Sequence, residues 1–240
     1  MRLVEYATPG GPRAGVLADG QVFGVRGAPA GGLQALLGRL ESVEPDGEGI
    51  PVAEVELLPP VARPGKIICI GLNYRAHAEE GGREAPETPA FFAKFATSLR
   101  GSGAVVELPH WSQKVDYEAE VAFVIGERCK DVSAADALGV VAGYTLLNDL
   151  SARDYQFKTP QWMPGKAFDG AAPCGPALVT PDEAGPHDAI GIALDLNGER
   201  MQESSTADLV HSIPALVEYL SMLMTLEPGD IVATGTPAGV

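Results

Sequence analysis

Two glutamates stand at alternate positions, Glu118 and Glu120, at the head of the apolar run EAEVAFVIG. Such a run reads as a buried strand, and alternate residues of a strand point to the same face. The two carboxylates then lie about 6.8 Å apart along the backbone, near enough for both to reach one ion. Two like charges on an apolar strand are costly unless compensated, and a divalent cation compensates both. Taken alone, the pair reads equally as the exposed face of an edge strand. The rest of the chain must bring compensation to this strand or leave that face in water.

The chain has 29 glycines and 20 prolines, a turn density that, with its short Val- and Ile-rich runs, predicts mostly strand. Its 240 residues can bury a real core, either as one mixed domain or as a small module joined to a larger one. The opening predicts a small αβ module: RLVEYA, then AGVL and QVFGV about an Asp19-Gly20 turn, then a helix across LQALLGRLESV. Pro59, Pro60, Pro64 and Gly65 follow, placing a boundary near residue 63 between an N-terminal module, 1–63, and a catalytic domain, 64–240. Beyond it, KIICIG reads as a buried strand, NYRAHAEEGG as a short helix closed by glycines, and AADALGVVA as helix. IALDLNGERMQ reads as a hairpin turning at Asn197-Gly198, and LVHSIPALVEYLSMLM as a helix opening near Ser212-Ile213-Pro214. A turn at Leu226–Asp230 leads into the strand IVATG.

Lys and Arg total 17 against 32 Asp and Glu, a formal net charge of -15. That field repels phosphate backbones and anionic lipid heads, so neither nucleic acid nor a membrane is expected as a partner. No run is apolar enough to cross a bilayer and MRLVEYATPGGPRAG lacks a signal-peptide core, so a cytoplasmic location is expected. Cys69, Cys129 and Cys174 form no CxxC pair and read as small buried residues. An acidic protein that handles an anionic substrate must focus positive charge locally, which a metal ion and a few Arg and Lys can do.

Asp149, in GYTLLNDLSARD, can supply a third oxygen ligand, though alone it reads first as an Asx-turn or cap residue. An all-carboxylate set suits Mg²⁺ or Mn²⁺ better than Zn²⁺. His77 and Glu80 are three apart, so on a helix the carboxylate can orient the imidazole for proton transfer; a solvated surface pair is the alternative. Lys94, Arg153, Gln156 and Lys166 are candidate grips for a substrate carboxylate or developing oxyanion, each of which could also be ordinary surface polarity. The loop TGTPAG lets backbone amides approach an anion, with Thr236 offering a hydroxyl. It lacks the Gly-Lys-Ser/Thr end of a Walker loop, and no dinucleotide fingerprint occurs.

In chain order, GLNYRAHAEE, FFAKFATSLRG, VDYEAEVAFVIG, GYTLLNDLSARDYQ, QWMPGKAFDGAAPCGP and LEPGDIVATGTPAGV closely resemble the fumarylacetoacetate hydrolase family. The likeness is to its short form, which includes acylpyruvate hydrolases and 2-hydroxyhepta-2,4-diene-1,7-dioate isomerases, and covers residues 60 to 240. The resemblance implies a strand-rich α+β fold with a mixed β-roll catalytic domain, Mg²⁺ or Mn²⁺ as the ion, and a homodimer. It places the metal carboxylates on Glu118, Glu120 and Asp149, the catalytic His-Glu pair on His77 and Glu80, and the lysine of the GK motif on Lys166. It places substrate contacts on Arg153, Gln156 and Thr236, with Lys94 as a further contact. Members continue past TGTPAGV through strands that close the roll, so the resemblance implies a truncated chain with an exposed sheet edge. Pro164 and His211 stand where the family pattern has an arginine-like and an apolar residue.

The reaction this implies is hydrolysis of an acylpyruvate-like 2,4-dioxo acid. The metal would chelate the 1-carboxylate and 2-oxo oxygen of this small anionic substrate and lower the cost of a pyruvate enolate as leaving group. His77, oriented by Glu80, would activate water, and Lys166 would stabilise the oxyanion at C4. The same enolate serves decarboxylation of a 2-oxo diacid such as oxaloacetate, or isomerisation of a 2-hydroxydienedioate, so a decarboxylase or isomerase is the close alternative. A truncated, non-catalytic binding protein is the third. Loops around GGREAPETP and YQFKTPQWMPG are expected to shape the pocket as a lid.

Overall fold

The computed structural model describes residues 1–29, 31–82 and 84–240. Strand β1 (Arg2–Tyr6) pairs antiparallel with β2 (Arg13–Ala18), which turns through Asp19-Gly20 into β3 (Gln21–Val25). Asp19 and Gly20 have φ of 50° and 74°, the left-handed backbone that a two-residue hairpin requires. LQALLGRLESV, predicted as one helix, is instead a 3₁₀ segment, Leu33–Ser42, broken at Arg39 with φ −154°. Gly38 weakens helix at that point, while Leu33, Leu36 and Leu37 are still buried. β4 (Pro45–Pro51) pairs with β3, and β5 (Leu57–Leu58) with β1.

β6 (Ile67–Gly71), β-branched and buried, leads into helix α1 (Arg75–Glu80), capped by Gly81 as predicted. β7 (Ala90–Lys94), β8 (Leu99–Arg100) and β9 (Val115–Asp116) precede β10 (Ala119–Ile125), every residue of which is buried. Residues 134–142, predicted helical, hold only a 3₁₀ turn, Ala137–Val140, before β11 (Val141–Asn148) takes over. Adjacent Val140 and Val141 after Gly139 favour extended chain over helix. β12 (Ser151–Ala152), α2 (Arg153–Gln156), α3 (Met163–Lys166), β13 (Ala172–Val179) and α4 (Pro181–Ala184) follow. The hairpin predicted at Asn197-Gly198 joins β14 (Gly191–Leu196) to β15 (Glu199–Ser205). α5 (Ile213–Leu223) opens where predicted, with the Ser212 hydroxyl accepting the Ala215 N–H, and β16 (Ile231–Ala233) follows it.

Twelve strands form one mixed sheet in the order β4-β3-β2-β1-β13-β11-β10-β16-β6-β7, with β5 and β8 attached to β1 and β13. The fold is therefore α+β and strand-rich, and the N-terminal strands join the main sheet through the β1–β13 pairing. β10 lies between β11 and β16 and is buried on both faces. Ala122 and Val124 pack into a cluster with Leu33, Leu147 and Leu178, whereas Phe123 and Ile125 pack beneath Leu216, Val217 and Leu220 of α5. Glu118 and Glu120 share the parity of Ala122 and Val124. Cys69, Cys129 and Cys174 are free and buried, and no helix among the described residues is long and apolar enough to cross a membrane.

Phe123 is fully buried at the centre of this arrangement. Phe123→Ala is expected to lower the free energy of unfolding in urea by about 3–5 kcal/mol. A loss below about 1 kcal/mol would mean that α5 does not pack on β10 as described.

Candidate active site

Neighbouring strands fix the acidic residues. Ala119 is in register with Asn148 and Glu120 with Leu147, so the entry to β10 lies beside the exit from β11. Two bonds lock that junction: the Glu118 N–H donates to Asn148 Oδ1 (3.0 Å), and the Asp149 N–H donates to the Glu118 carbonyl (2.8 Å). Glu118, Glu120 and Asp149 are all buried, each placing one carboxylate oxygen within 4.8 Å of the others'.

Three cations from other segments face this cluster. Lys166, at the end of α3, donates to Glu118 Oε2 (2.8 Å) and Asp149 Oδ2 (2.9 Å). Lys94, at the end of β7, lies 2.7 Å from Asp149 Oδ1 and donates to the carbonyls of Ala171 (2.9 Å), Leu150 (3.3 Å) and Lys166. Arg153, opening α2, donates from Nη1 to Glu118 Oε1 (2.5 Å) and Gln156 Oε1 (2.9 Å), and from Nε to Asp116 Oδ2 (2.9 Å).

The compensation is uneven. Burial pushes the Glu118 carboxyl up, but Lys166 and then Arg153 outweigh it and hold the group below the usual carboxylate value. Burial, then Asp149 and Glu118, push Glu120 well above that value. Its one hydrogen bond among the described residues comes from the Gly235 N–H, 2.8 Å from Oε2. Burial lowers and the two carboxylates raise the Lys166 ammonium, with a net rise. A hard divalent cation fits this donor set: oxygen ligands only, three of them, one without a cationic partner.

A cleft of about 510 Å³ opens beside the cluster. His77, Glu118, Arg153, Gln156, Lys166 and Thr236 all line it, so most of the candidate residues meet at one place. Ile70, Leu72, Phe92, Phe157 and Trp162 give the same cleft an apolar lining. Gly71 leaves room for Trp162 there, since a Cβ at this position would lie 2.3 Å from the ring and force it to shift. Gly81 and Trp162 belong to the two loops expected to form a lid, of which Arg83 lies outside the described residues.

Three candidates differ from expectation in detail. Lys94 is fully buried and absent from the cleft wall; its bonds tie Asp149 to the surrounding backbone instead of leaving it free to meet a ligand. His77 Nδ1 is 3.6 Å from Glu80 Oε2, beyond hydrogen-bond length, while Glu80 accepts the Gly239 N–H at 3.1 and 3.2 Å. The Thr236 hydroxyl donates to the Ala119 carbonyl (2.9 Å), so its proton is already committed. The sequence reading missed Asp116, although Asp116, Glu118 and Glu120 alternate and that spacing was a signal. It also missed Asn73, whose side chain donates to the Thr234 and His211 carbonyls and accepts the His211 N–H. Of the two departures from the family pattern, Pro164 sits in the first turn of α3 and His211 Nε2 lies 2.9 Å from the Pro86 carbonyl.

Residues 66–240 match the family model described as fumarylacetoacetate (FAA) hydrolase C-terminal, and residues 1–60 match Rv2993c-like, N-terminal. The chain belongs to the fumarylacetoacetate hydrolase family. It is 40% identical over 247 residues to a putative hydrolase of Burkholderia multivorans, covering 100% of this chain and 88% of that protein. It is 46% identical over 194 residues to the mitochondrial oxaloacetate tautomerase FAHD2B of Bos taurus, covering 80% of this chain and 62% of that protein. Among solved structures, 5-carboxymethyl-2-hydroxymuconate delta-isomerase from Mycobacterium smegmatis superposes with a TM-score of 0.84 at 38% identity, covering 100% of this chain and 89% of that one. Maleylpyruvate hydrolase from Sphingobium sp. SYK-6, in complex with manganese(II) and pyruvate, gives 0.83 at 32% identity with the same coverage. This fumarylacetoacetate hydrolase relative is an enzyme of a family whose members act on oxo acids as hydrolases, isomerases and tautomerases.

Mg²⁺ at about one hundred times its Kd is expected to raise Tm by roughly 5–10 °C in differential scanning calorimetry. Glu120→Gln should remove most of that rise without lowering Tm in ion-free buffer, since a neutral amide relieves the like charges. An undiminished Mg²⁺ shift in the variant would exclude Glu120 as a ligand.

Proposed function

We propose that this enzyme hydrolyses an acylpyruvate-like 2,4-dioxo acid, with Mg²⁺ or Mn²⁺ held by Glu118, Glu120 and Asp149. The supporting observation is that Glu118 of a buried three-carboxylate cluster, its partners Lys166 and Arg153, and a histidine on a separate helix line one cleft. When bound, the ion would draw charge onto the substrate's carboxylate and 2-oxo oxygens and so lower the cost of expelling an enolate.

The remaining steps belong to side chains. Glu80 beside Nδ1 leaves His77 Nε2 to take a proton from water. The hydroxide so formed attacks C4, and the C3–C4 bond breaks with its electron pair passing to C3. His77 returns the proton to C3, giving pyruvate and a carboxylic acid. Lys166, held by Glu118 and Asp149 and 5.2 Å from the Phe92 ring centroid, lines the cleft where it can donate to the oxyanion developing at C4. Arg153 Nη2 is buried without a partner among the described residues, a donor that a substrate carboxylate would satisfy. The apolar side chains of the lining then receive the acyl group.

A second reading has a specific observation in its favour: the 46% identity to the Bos taurus oxaloacetate tautomerase. Tautomerisation of a 2-oxo diacid needs His77 to move a proton between C3 and the enol oxygen, with no water attack. Decarboxylation would use the same ion and anion grips.

Turnover of acetylpyruvate and of oxaloacetate, each with and without Mg²⁺ or Mn²⁺, separates these readings. Ion-dependent pyruvate and acetate release is the expected result, abolished by Glu118→Ala and reduced in kcat by about 10²–10⁴ in His77→Ala. Enol–keto conversion of oxaloacetate without acetylpyruvate cleavage would replace the hydrolase reading with the tautomerase one. Full turnover by His77→Ala would remove this histidine from the mechanism.

A further inference from the structure

The β14–β15 hairpin supplies no residue to the cleft wall, yet one of its side chains reaches the site. Gln202, on β15, is 1% exposed and lies between the strand of the acidic pair and the Thr236 loop. The Ala119 N–H donates to its Oε1 (2.9 Å), and this fixes which end of the amide is which. The NH₂ group must then face the loop, where Nε2 donates to Thr236 Oγ1 (2.8 Å) and to the Pro237 carbonyl (2.9 Å). Having accepted from Gln202, the Thr236 oxygen turns its own proton to the Ala119 carbonyl (2.9 Å). Each bond direction follows from the one before it.

The circuit joins the parts that matter. Ala119 separates Glu118 from Glu120, and Gly235, next to Thr236, donates to Glu120. Further along the loop, Gly239 has φ 108°, and a Cβ there would lie 2.1 Å from the Met201 carbonyl of the same strand β15. The loop thus lies directly against the hairpin, with Gln202 as its polar bolt.

We propose that Gln202 is a positioning residue for 2-oxo acid binding, which acts by fixing the Thr236 hydroxyl and main chain at the cleft. The proposal rests on the reading of Thr236 as a substrate contact. With its proton held by the Ala119 carbonyl, the Thr236 hydroxyl cannot donate to an anion and serves instead to hold the loop main chain in one position at the cleft. The hairpin then influences ligand affinity without touching the ligand.

The test is isothermal titration of the full chain with pyruvate at saturating Mg²⁺, and with Mg²⁺ alone, for wild type, Gln202→Met, Thr236→Val and the double variant. Gln202→Met keeps length and removes the hydrogen bonds; it is expected to weaken pyruvate about tenfold while the Mg²⁺ Kd stays within about twofold. Thr236→Val should also weaken pyruvate, and the double variant should be no weaker than Thr236→Val, because Gln202 acts through Thr236. Additive losses, an unchanged pyruvate Kd in folded Gln202→Met, or an equal loss of Mg²⁺ affinity would overturn the assignment. If Gln202→Met does not fold, Gln202→Glu, which keeps the acceptor for Ala119 but cannot donate when ionised, is held to the same outcomes. Wild-type protein that binds no pyruvate with Mg²⁺ present would instead overturn the 2-oxo acid reading, and the Gln202 assignment with it.

Discussion

Three carboxylates buried within 4.8 Å of one another set the terms for this fold. Isolated charges are not tolerated in a protein interior, so Glu118, Glu120 and Asp149 must be neutralised by whatever the chain brings to them. It brings Lys94 from β7, Arg153 from α2 and Lys166 from α3. The short helices α2 and α3, too brief to stand alone, are thereby tied by charge-assisted bonds to the sheet they border. The ordering is incomplete by design of the residues: Glu120 keeps no cation of its own among the described residues. On the proposed reading a divalent ion would complete the balance, and the site would then be at once a stability element and a binding element.

The same sheet explains why the chemistry sits at one edge of the β10–β11 junction. β10 is buried on both faces, so its interior must be apolar, and polar groups can gather only where it begins. There, the Asn148 and Asp149 bonds to Glu118 splice the start of β10 to the end of β11. The surrounding segments converge on this point and form the cleft, lined by both polar and apolar side chains. Relatives that share the family include a maleylpyruvate hydrolase, an isomerase and a tautomerase. A common anion-holding core with variable loops can serve different bonds, because loops change without disturbing the sheet.

Much of this was legible in the sequence where the signal is local. The Asp19-Gly20 and Asn197-Gly198 hairpins, the helix start at Ser212-Ile213-Pro214 and the alternate glutamates follow from backbone sterics, proline's fixed φ and strand periodicity, which act over a few residues. Two helix readings failed for the opposite reason. Residues 33–43 and 134–142 have helical spacing of apolar groups, but Gly38 and Gly139 weaken the helix and sheet pairing claims Val141 onward. The candidate residues His77, Arg153, Gln156, Lys166 and Thr236 follow from residue type, local spacing and motif order, yet none of these tells that Lys94 is walled in, or that Thr236 has its proton engaged.

The sequence by itself determined the family, the strand-rich character and the identity of the acidic set, because those rest on residue type, spacing and motif order. Only the tertiary structure decided which cation meets which carboxylate, which amide end of Gln202 faces the loop, and which candidates reach the cleft. Partners such as Gln202 and Thr236, or Lys94 and Asp149, lie tens of positions apart in the chain. Their pairing depends on strand register and loop closure, and no local rule of spacing carries that information.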